Sequence, residues 1–402
     1  MLMDTARATR LMEAEGVEGV VASTLENVFY LSGIWHLGAE LFPHDAQAYV
    51  VATREHPDQG IVAISMGEAD LGLDARPGIS SVIPYGSFFR ALPPAGSTVE
   101  LDANERWIRD ITLDRAPAAS AFEALAAALE EAGLVERSVA VDERGPDRDL
   151  IDKLEARFPR LTVKPASQLM RRIRMVKTAD ELDRMRETLR VTEYAFRATV
   201  ETITAGVTER QLVHTFNQGI VEAGGRPAFA LIRFGRGMAT GQAAPGDTPL
   251  VKGDYVWFDI GCTVAGYRSD IGRIVAYGEP SARLREVQSA SRAGQDRAIE
   301  LMTPGTPAQV VFHGAVERVR ESGIPDYQRH HVGHGIGIEF YDLPILTAAT
   351  EIPLEANMIF EVETPYYELG FGGAFIEDTV LVTGEEAQIL TTLDRDLMVV
   401  GA

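Results

Sequence analysis

Four carboxylates stand where strands usually carry aliphatic side chains. In "FDIGCTVAGYRSDIGR", residues 258–273, Asp259 and Asp270 lie inside two strand-like runs joined by a turn near Thr263–Gly266. Strand side chains alternate between faces, so Trp257, Asp259 and Gly261 point one way and Val256, Phe258 and Ile260 the other. A turn centred between Val264 and Ala265 sets Asp259 opposite Asp270, and paired residues hold their Cβ atoms about 4.5–5.5 Å apart. Cys262 has the opposite parity and is not read as a ligand. The oddity recurs in "MIFEVETPYYELGFGGAFIEDTVLV", residues 358–382, where Glu363 and Glu377 face one another about Gly370. Asp378 has the other parity, and Glu361 is as compatible with solvent as with a site. Between the two hairpins, "YQRHHVGHGIGIEFYDLP" sets His330, His331 and His334 among Gly333, Gly335 and Gly337.

Like charges this close repel, and burial raises the cost, unless a proton or a cation lies between them. Four carboxylates with one or two imidazoles match two divalent cations in charge. Oxygen-rich ligation with nitrogen suits Mn²⁺, Fe²⁺, Co²⁺ or Zn²⁺ and not thiolate chemistry. Two such ions about 3.5–4 Å apart can share a water, lower its pKa and polarise a carbonyl. Metal neutralisation is therefore the reason acids are tolerated in these strands.

The elements that hold these residues form two repeated halves. A capping box, Thr178 with Glu181, opens a long helix that ends at Gly206. A second box, Thr208 with Gln211, opens a helix that runs to Gly224–Gly225, and the acidic hairpin at 254–275 follows. The order recurs with a helix at 281–302, a break at Pro304–Gly305, and a helix capped by Thr306 with Pro307 at its first position. That helix ends near Gly323, and the second hairpin occupies 357–382. Each half thus reads helix, turn, helix, then acidic sheet, which predicts a pseudo-twofold with a site at the seam. Ahead of it, residues 1–165 alternate strand and helix signals, with strands at 18–23, 47–53, 60–65, 80–84 and 138–142 and a helix at 119–133. This reads as a supporting domain, joined through a linker at 166–177 to a catalytic domain at 178–402.

Composition excludes several classes. Thirty-eight basic against 59 acidic residues give a formal charge of −21, a poor basis for gripping nucleic acid or an anionic membrane. No run of 18 apolar residues exists to span a bilayer, and the N-terminus reads as an amphipathic helix, not a signal peptide. One cysteine, Cys262, permits no internal disulfide and suits a reducing cytoplasm.

These motifs resemble the creatinase, aminopeptidase P, prolidase and methionine aminopeptidase family over about residues 175–402. The resemblance implies an α/β (α+β) pita-bread catalytic domain, and "ENVFYLSGIW" is similar to the opening of the creatinase-type N-terminal α/β domain that precedes it. "FDIG…GYRSDIGR" carries over as two ligands, Asp259 and Asp270. "GHGIG" gives His334, and "EVETP" and "FIEDTVLVT" give Glu363 and Glu377. The family implies two divalent metal ions, manganese first, a homodimer, and peptide or small amide hydrolysis by a metal-bridged hydroxide with Glu363 as proton shuttle. His330 carries over as a candidate for substrate contact or proton transfer. Three family positions are changed: Gln242 or Gly241 stands near a missing loop histidine, Tyr341 replaces a later histidine, and Phe375 replaces an arginine. Those departures put proline-peptide specificity in question. Gln242, Tyr341, Tyr366 and Arg226 are the substrate-binding candidates, with Phe229 and Arg233 as further pocket residues. The alternatives are a small-molecule enzyme similar to creatinase, ectoine hydrolase or dimethylsulfoniopropionate lyase, and a non-catalytic binding module. The latter typically loses ligands, and none is lost here.

Overall fold

The computed structural model describes residues 2–75 and 78–401, and the chain divides into two compact units, Met1–Arg174 and Met175–Ala402. Among the described residues no helix is long and apolar enough to cross a membrane.

The first unit is built on strands β1 (Gly19–Ala22), β2 (Tyr49–Thr53), β3 (Gly60–Ser65), β4 (Ile79–Tyr85), β5 (Ser138–Val141) and β6 (Thr162–Pro165). They form a mixed sheet in the order β4-β3-β2-β1-β5-β6. Helices α1 (Thr5–Ala14), α2 (Leu25–Ser32), α3 (Leu37–Leu41), α4 (Ala103–Thr112), α5 (Ala121–Glu131), α6 (Leu150–Arg157) and α7 (Ser167–Arg174) connect and cover it. Helix α5 is the alanine-rich run; Ser120 caps it, and Ala124, Leu125, Ala128 and Leu129 pack with Val21, Val51 and Val139 of the sheet. The segment expected as a linker is mostly helix, since α7 lies within it and belongs to the first unit. Its arginine-rich sequence is a good helix former, with apolar Leu169, Met170 and Ile173 buried.

The second unit carries the repeat. Helices α8 (Ala179–Val200) and α9 (Glu209–Glu222) open on the two expected capping boxes, both complete. Strands β7 (Arg226–Phe234), β8 (Tyr255–Val264), β9 (Tyr267–Arg268) and β10 (Ile271–Tyr277) follow. The second half has α10 (Ala282–Leu301), α11 (Ala308–Glu321), β11 (Gly333–Gly335), β12 (Asp342–Ile345), β13 (Ile359–Glu363), β14 (Tyr366–Glu368), β15 (Gly372–Ala374) and β16 (Glu377–Val382). Short strands β17 (Ala387–Ile389) and β18 (Met398–Val400) pair with β16 and β10. At α11 the cap position falls on Pro307, one residue later than expected, while the Thr306 hydroxyl faces that of Thr303 at 2.9 Å.

The main sheet runs β12-β11-β13-β16-β10-β8-β7, so β10 and β16 meet near its centre, with the strands of the first half on one side and those of the second half on the other. The inter-helix turns match in detail. Gly206 N–H donates to the Leu250 carbonyl and Leu250 N–H to Val207; in the second half Gly305 donates to Leu354 and Leu354 to Thr306. Each half has its own core on the helix side: Phe196, Phe216, Phe258 and Ile260 in one, and Val311, Ala315, Phe360 and Val362 in the other. Those strand residues alternate with the acids, which leaves Asp259 and Glu363 on the opposite face.

Candidate functional site

Register decides which acids meet. Glu363 pairs directly with Glu377 across β13 and β16, as the midpoint at Gly370 predicts. Asp259 pairs with Gly272 and not with Asp270. The hairpin turn is one residue later than the reading placed it, at Ala265 and Gly266, whose φ values are 48° and 84°. Two consecutive residues in the left-handed region make the tight turn that matches strand twist, and moving a turn by one residue moves the pairing by two. An even shift keeps both aspartates on one face, so the expected cluster survives as a diagonal pair. Gly272 also pairs with Glu377; it therefore lies between the strand of Asp259 and that of Glu377.

His334 arrives from β11. Gly333 before it has φ 147°, and a Cβ there would meet the Glu361 carbonyl oxygen at 2.2 Å, so the strand can lie this close to β13 only with glycine. Ligand atoms of Asp270, His334 and Glu377 all fall within 4.8 Å of one another. His334 Nδ1 lies 3.1 Å from the Gly335 carbonyl oxygen. A carbonyl only accepts, so the neutral ring carries its proton on Nδ1 and keeps its Nε2 lone pair for a cation.

The electrostatics are those of an acid cluster short of positive charge. Burial, then the Glu363 carboxylate, pushes Asp259 up to about 7. Asp270 and Glu377 lie well above the usual carboxylate range, by burial first and then by neighbouring acids. Burial raises Glu363 too, against the opposing pull of Arg329. Burial drives His334 down to about 4, so it is neutral at pH 7, the form in which imidazole binds metal. One oxygen of Asp270, Oδ1, is buried with no hydrogen-bond partner. An orphaned buried carboxylate oxygen is expensive, and a hard divalent cation would satisfy it. The donor set, four carboxylates and one imidazole, fits such ions. Asp259, Asp270, His334, Glu363 and Glu377 could hold them.

All five line one cavity of about 530 Å³, together with Gln242, His330 and Tyr341. Tyr341 stacks on the His334 ring, with centroids 3.8 Å apart and planes 16° apart. Two candidates fall elsewhere. Tyr366 does not line the cavity; its hydroxyl donates to Glu368 Oε2 at 2.8 Å. Its neighbour Tyr367 lines the cavity instead, because successive strand residues face opposite ways. Arg226 sits at the exposed start of β7 opposite Thr263. Arg233 is bound to Glu209 at 3.1 Å and Phe229 packs on Phe340; neither lines the cavity. Glu361 is buried, not solvent-facing, and receives the Thr379 hydroxyl at 2.8 Å. Asp378 is held by Arg273 at 2.5 Å and Arg395 at 2.9 Å.

Arg329 and Trp257 also line the cavity and were not singled out as site residues from the sequence. Trp257 is two residues before Asp259 on the same face, so alternation already carried the signal. Arg329 reaches Glu363 Oε1 with Nη2 at 3.2 Å. His331 Nδ1 is also 3.2 Å from that oxygen, whereas His330 packs edge-on against His331 with centroids 4.4 Å apart. Gly333 N–H points to His331 Nδ1 at 3.3 Å, which makes that nitrogen an acceptor. Burial, with Arg329 and the other two histidines, lowers His331 to about 3. Phe375 lies under Trp257, centroids 5.9 Å apart.

Residues 183–384 match the family model for metallopeptidase family M24. The chain is 31% identical over 264 residues to an Xaa-Pro dipeptidase of Lactobacillus delbrueckii subsp. lactis, 65% of this chain and 72% of that one. It is 30% identical over 228 residues, 56% of its own length, to an uncharacterized peptidase of Staphylococcus aureus strain MSSA476, and the match spans 65% of that protein. The crystal structure of an X-Pro aminopeptidase from Thermotoga maritima MSB8 is similar in fold, with a TM-score of 0.76 at 23% identity over 99% of both chains. That fold is an N-terminal domain followed by a pita-bread catalytic domain. Taken with the matched segment, which contains both acidic hairpins and the histidine run, these similarities mean that the chain belongs to metallopeptidase family M24, the group of creatinase, aminopeptidase P and prolidase.

Proposed function

We propose that this protein is a dinuclear-metal hydrolase that cleaves Xaa-Pro peptides or similar small amides. The observation that carries the reading is the convergence of Asp259, Asp270, His334, Glu363 and Glu377 on one cavity wall, with a buried Asp270 oxygen left without a donor. Two divalent cations bound there, Mn²⁺ by preference, would supply Lewis acidity and lower the pKa of a shared water to give a hydroxide at neutral pH. The chain's own groups have complementary tasks. Glu363, which lines the cavity among the candidate ligands, takes and returns a proton. His331, whose Nδ1 lies 3.2 Å from Glu363 Oε1 and accepts from Gly333 N–H, positions that carboxylate. His330, Gln242 and Tyr341 line the same cavity and orient substrate. Trp257 and Met238 supply an apolar surface for a ring such as proline. A cytoplasmic location and a homodimer complete the reading; they rest on the lone buried thiol of Cys262 and on the family resemblance.

A second reading has its own support. Gln242, Tyr341 and Phe375 stand where family peptidases carry two histidines and an arginine, which favours a small non-peptide substrate cleaved at C–N or C–S. Protein loaded with Mn²⁺ and assayed on Xaa-Pro dipeptides, creatine, ectoine and dimethylsulfoniopropionate separates the two. Turnover of the dipeptides alone is the expected result, and turnover of one of the others alone would replace it with the second reading.

A further inference from the structure

One wall of the cavity comes from a single loop. Residues 235–246 leave β7 through a 3-10 turn, Gly235–Thr240, and residues 238–243 line the cavity in succession. The two halves of the loop are held differently. Met238 is fully buried and packs with Trp257 and Phe375. Residues 242–244 are exposed, so apolar packing does little to fix them. The polar contacts around them centre on one ion pair. Glu209, in the first turn of α9, has a side chain only 3% exposed. Its Oε1 accepts the Phe234 N–H at 3.0 Å, just before the loop, and its Oε2 accepts the Gly246 N–H at 2.8 Å, at the loop's end. Those amides lie 25 and 37 residues further along the chain, so the acid does not serve its own helix terminus. Arg233 Nε donates to the same Oε1 at 3.1 Å, and its Nη1 donates to the Ala243 carbonyl at 2.9 Å. Backbone adds one bond, from the Arg210 N–H to the Gly246 carbonyl at 3.1 Å.

We propose that Glu209 and Arg233, which lie outside the cavity, are positioning residues: they clamp residues 241–246 against it and so fix Gln242 for substrate. The inference deepens the hydrolase reading above and rests on it for the substrate, whereas the clamp itself does not. Energetics favour this role over plain support of the fold. A buried ion pair adds little net stability over apolar side chains of similar volume, but its bonds are directional. Among the described residues, each side-chain bond that the pair makes beyond itself ends on the loop or on Phe234. The fork of the guanidinium reaches Glu209 and Ala243 at once, a geometry that the single nitrogen of a lysine does not reproduce. The loop also lies directly on the pair, since a Cβ at Gly237 would meet Arg233 Nη2 at 3.3 Å and Glu209 Oε1 at 3.4 Å. Without the clamp, Gln242 is in place for only a fraction of the time. Substrate affinity then falls by that fraction, while the chemistry of bound substrate is unchanged. The signature is a higher KM at constant kcat.

The test uses the Mn²⁺-loaded full chain with Ala-Pro as substrate and metal content measured throughout. It compares wild type, Glu209→Ala, Glu209→Gln, Arg233→Met, Gln242→Ala and the double variant of Glu209→Ala with Gln242→Ala. Glu209→Ala and Arg233→Met are expected to raise KM by roughly tenfold, with kcat changed by less than about twofold and metal content unchanged. Glu209→Gln, which keeps one acceptor oxygen, recovers part of the loss. Gln242→Ala raises KM by itself, and adding Glu209→Ala to it costs no more than about a further twofold, because the clamp then has no side chain to position. Hydrogen exchange supplies a readout without turnover: the Gly246 amide is protected in wild type and exchanges roughly 10- to 100-fold faster in Glu209→Ala, the worth of a bond to a charged acceptor, while amides of β8 and β10 keep their rates. Arg233→Met supplies the same comparison where Glu209→Ala does not fold. A Gly246 amide that exchanges in wild type at the rate of an open chain overturns the proposal, whether or not the variants fold. So do full additivity of Glu209→Ala with Gln242→Ala, and a loss of kcat at unchanged KM. Wild type that leaves Ala-Pro intact counts against the hydrolase reading instead, and the exchange rates still decide the clamp.

Discussion

Gly272→Ala is the most direct probe of how the site is packed. Gly272 pairs with Asp259 on one side and Glu377 on the other, and the Phe375 ring lies over it. An added Cβ would meet Phe375 ring carbons at 2.1, 2.5 and 2.6 Å. These distances are well inside van der Waals contact, and the obstacle is a rigid aromatic ring. Phe375 cannot swing away freely, because its backbone N–H donates to Gln288 Oε1 and its carbonyl accepts from Gln288 Nε2, both at 3.1 Å. Its ring is further confined by Trp257. The methyl must therefore be accommodated by off-rotamer movement, at about 1–3 kcal/mol for an overpacked core position. For a unit of this size each kcal/mol lowers Tm by about 2–4 °C, so a fall of about 2–12 °C is expected. Calorimetry on Gly272→Ala, Phe375→Leu and the double variant tests the mechanism. The thinner leucine vacates the clashing volume, so the double variant should be more stable than the sum of the single losses by at least about 0.5 kcal/mol. Strict additivity, or a Gly272→Ala protein as stable as wild type, would refute the argument that these two residues compete for one space.

Two more outcomes can be checked on purified protein. Burial is the main cause that lifts Glu181 from 4.5 to about 7, which corresponds to about 3 kcal/mol between its protonated and ionised forms. A raised carboxyl binds more protons folded than unfolded, so its contribution is complete below pH 4.5 and is lost as pH rises to about 7; Glu181→Gln should flatten that stretch of a stability-versus-pH curve, and an unchanged slope would count against it. Mn²⁺ at about 100 times its Kd should stabilise wild type by about 2.7 kcal/mol, raising Tm by about 5–11 °C. Glu377→Ala should lose that rise together with stoichiometric metal by elemental analysis, and retention of both would remove Glu377 from the ligand set.

Much of this protein could be read from residue order. Alternation in two strands put Asp259 with Trp257 on one face and Glu363 away from Val362, and the capping boxes at Thr178 and Thr208 marked helix starts to the residue. The repeated helix–turn–helix–sheet order foretold a sheet whose halves meet at its centre. Such features depend on local periodicity and short-range hydrogen bonds, which a linear chain states directly. Three matters waited for the folded chain. The turn at Ala265–Gly266 set the register by two residues, a choice governed by left-handed backbone conformation rather than by side-chain pattern. The parity of Tyr366 and Tyr367 depended on where the strand began after Pro365. Most of all, Arg329 and His331 met Glu363 only because β11 lies against β13, 34 and 32 residues along the chain. Contacts between distant segments follow from packing, where many weak apolar contacts jointly select one arrangement, and no short stretch of sequence records that selection.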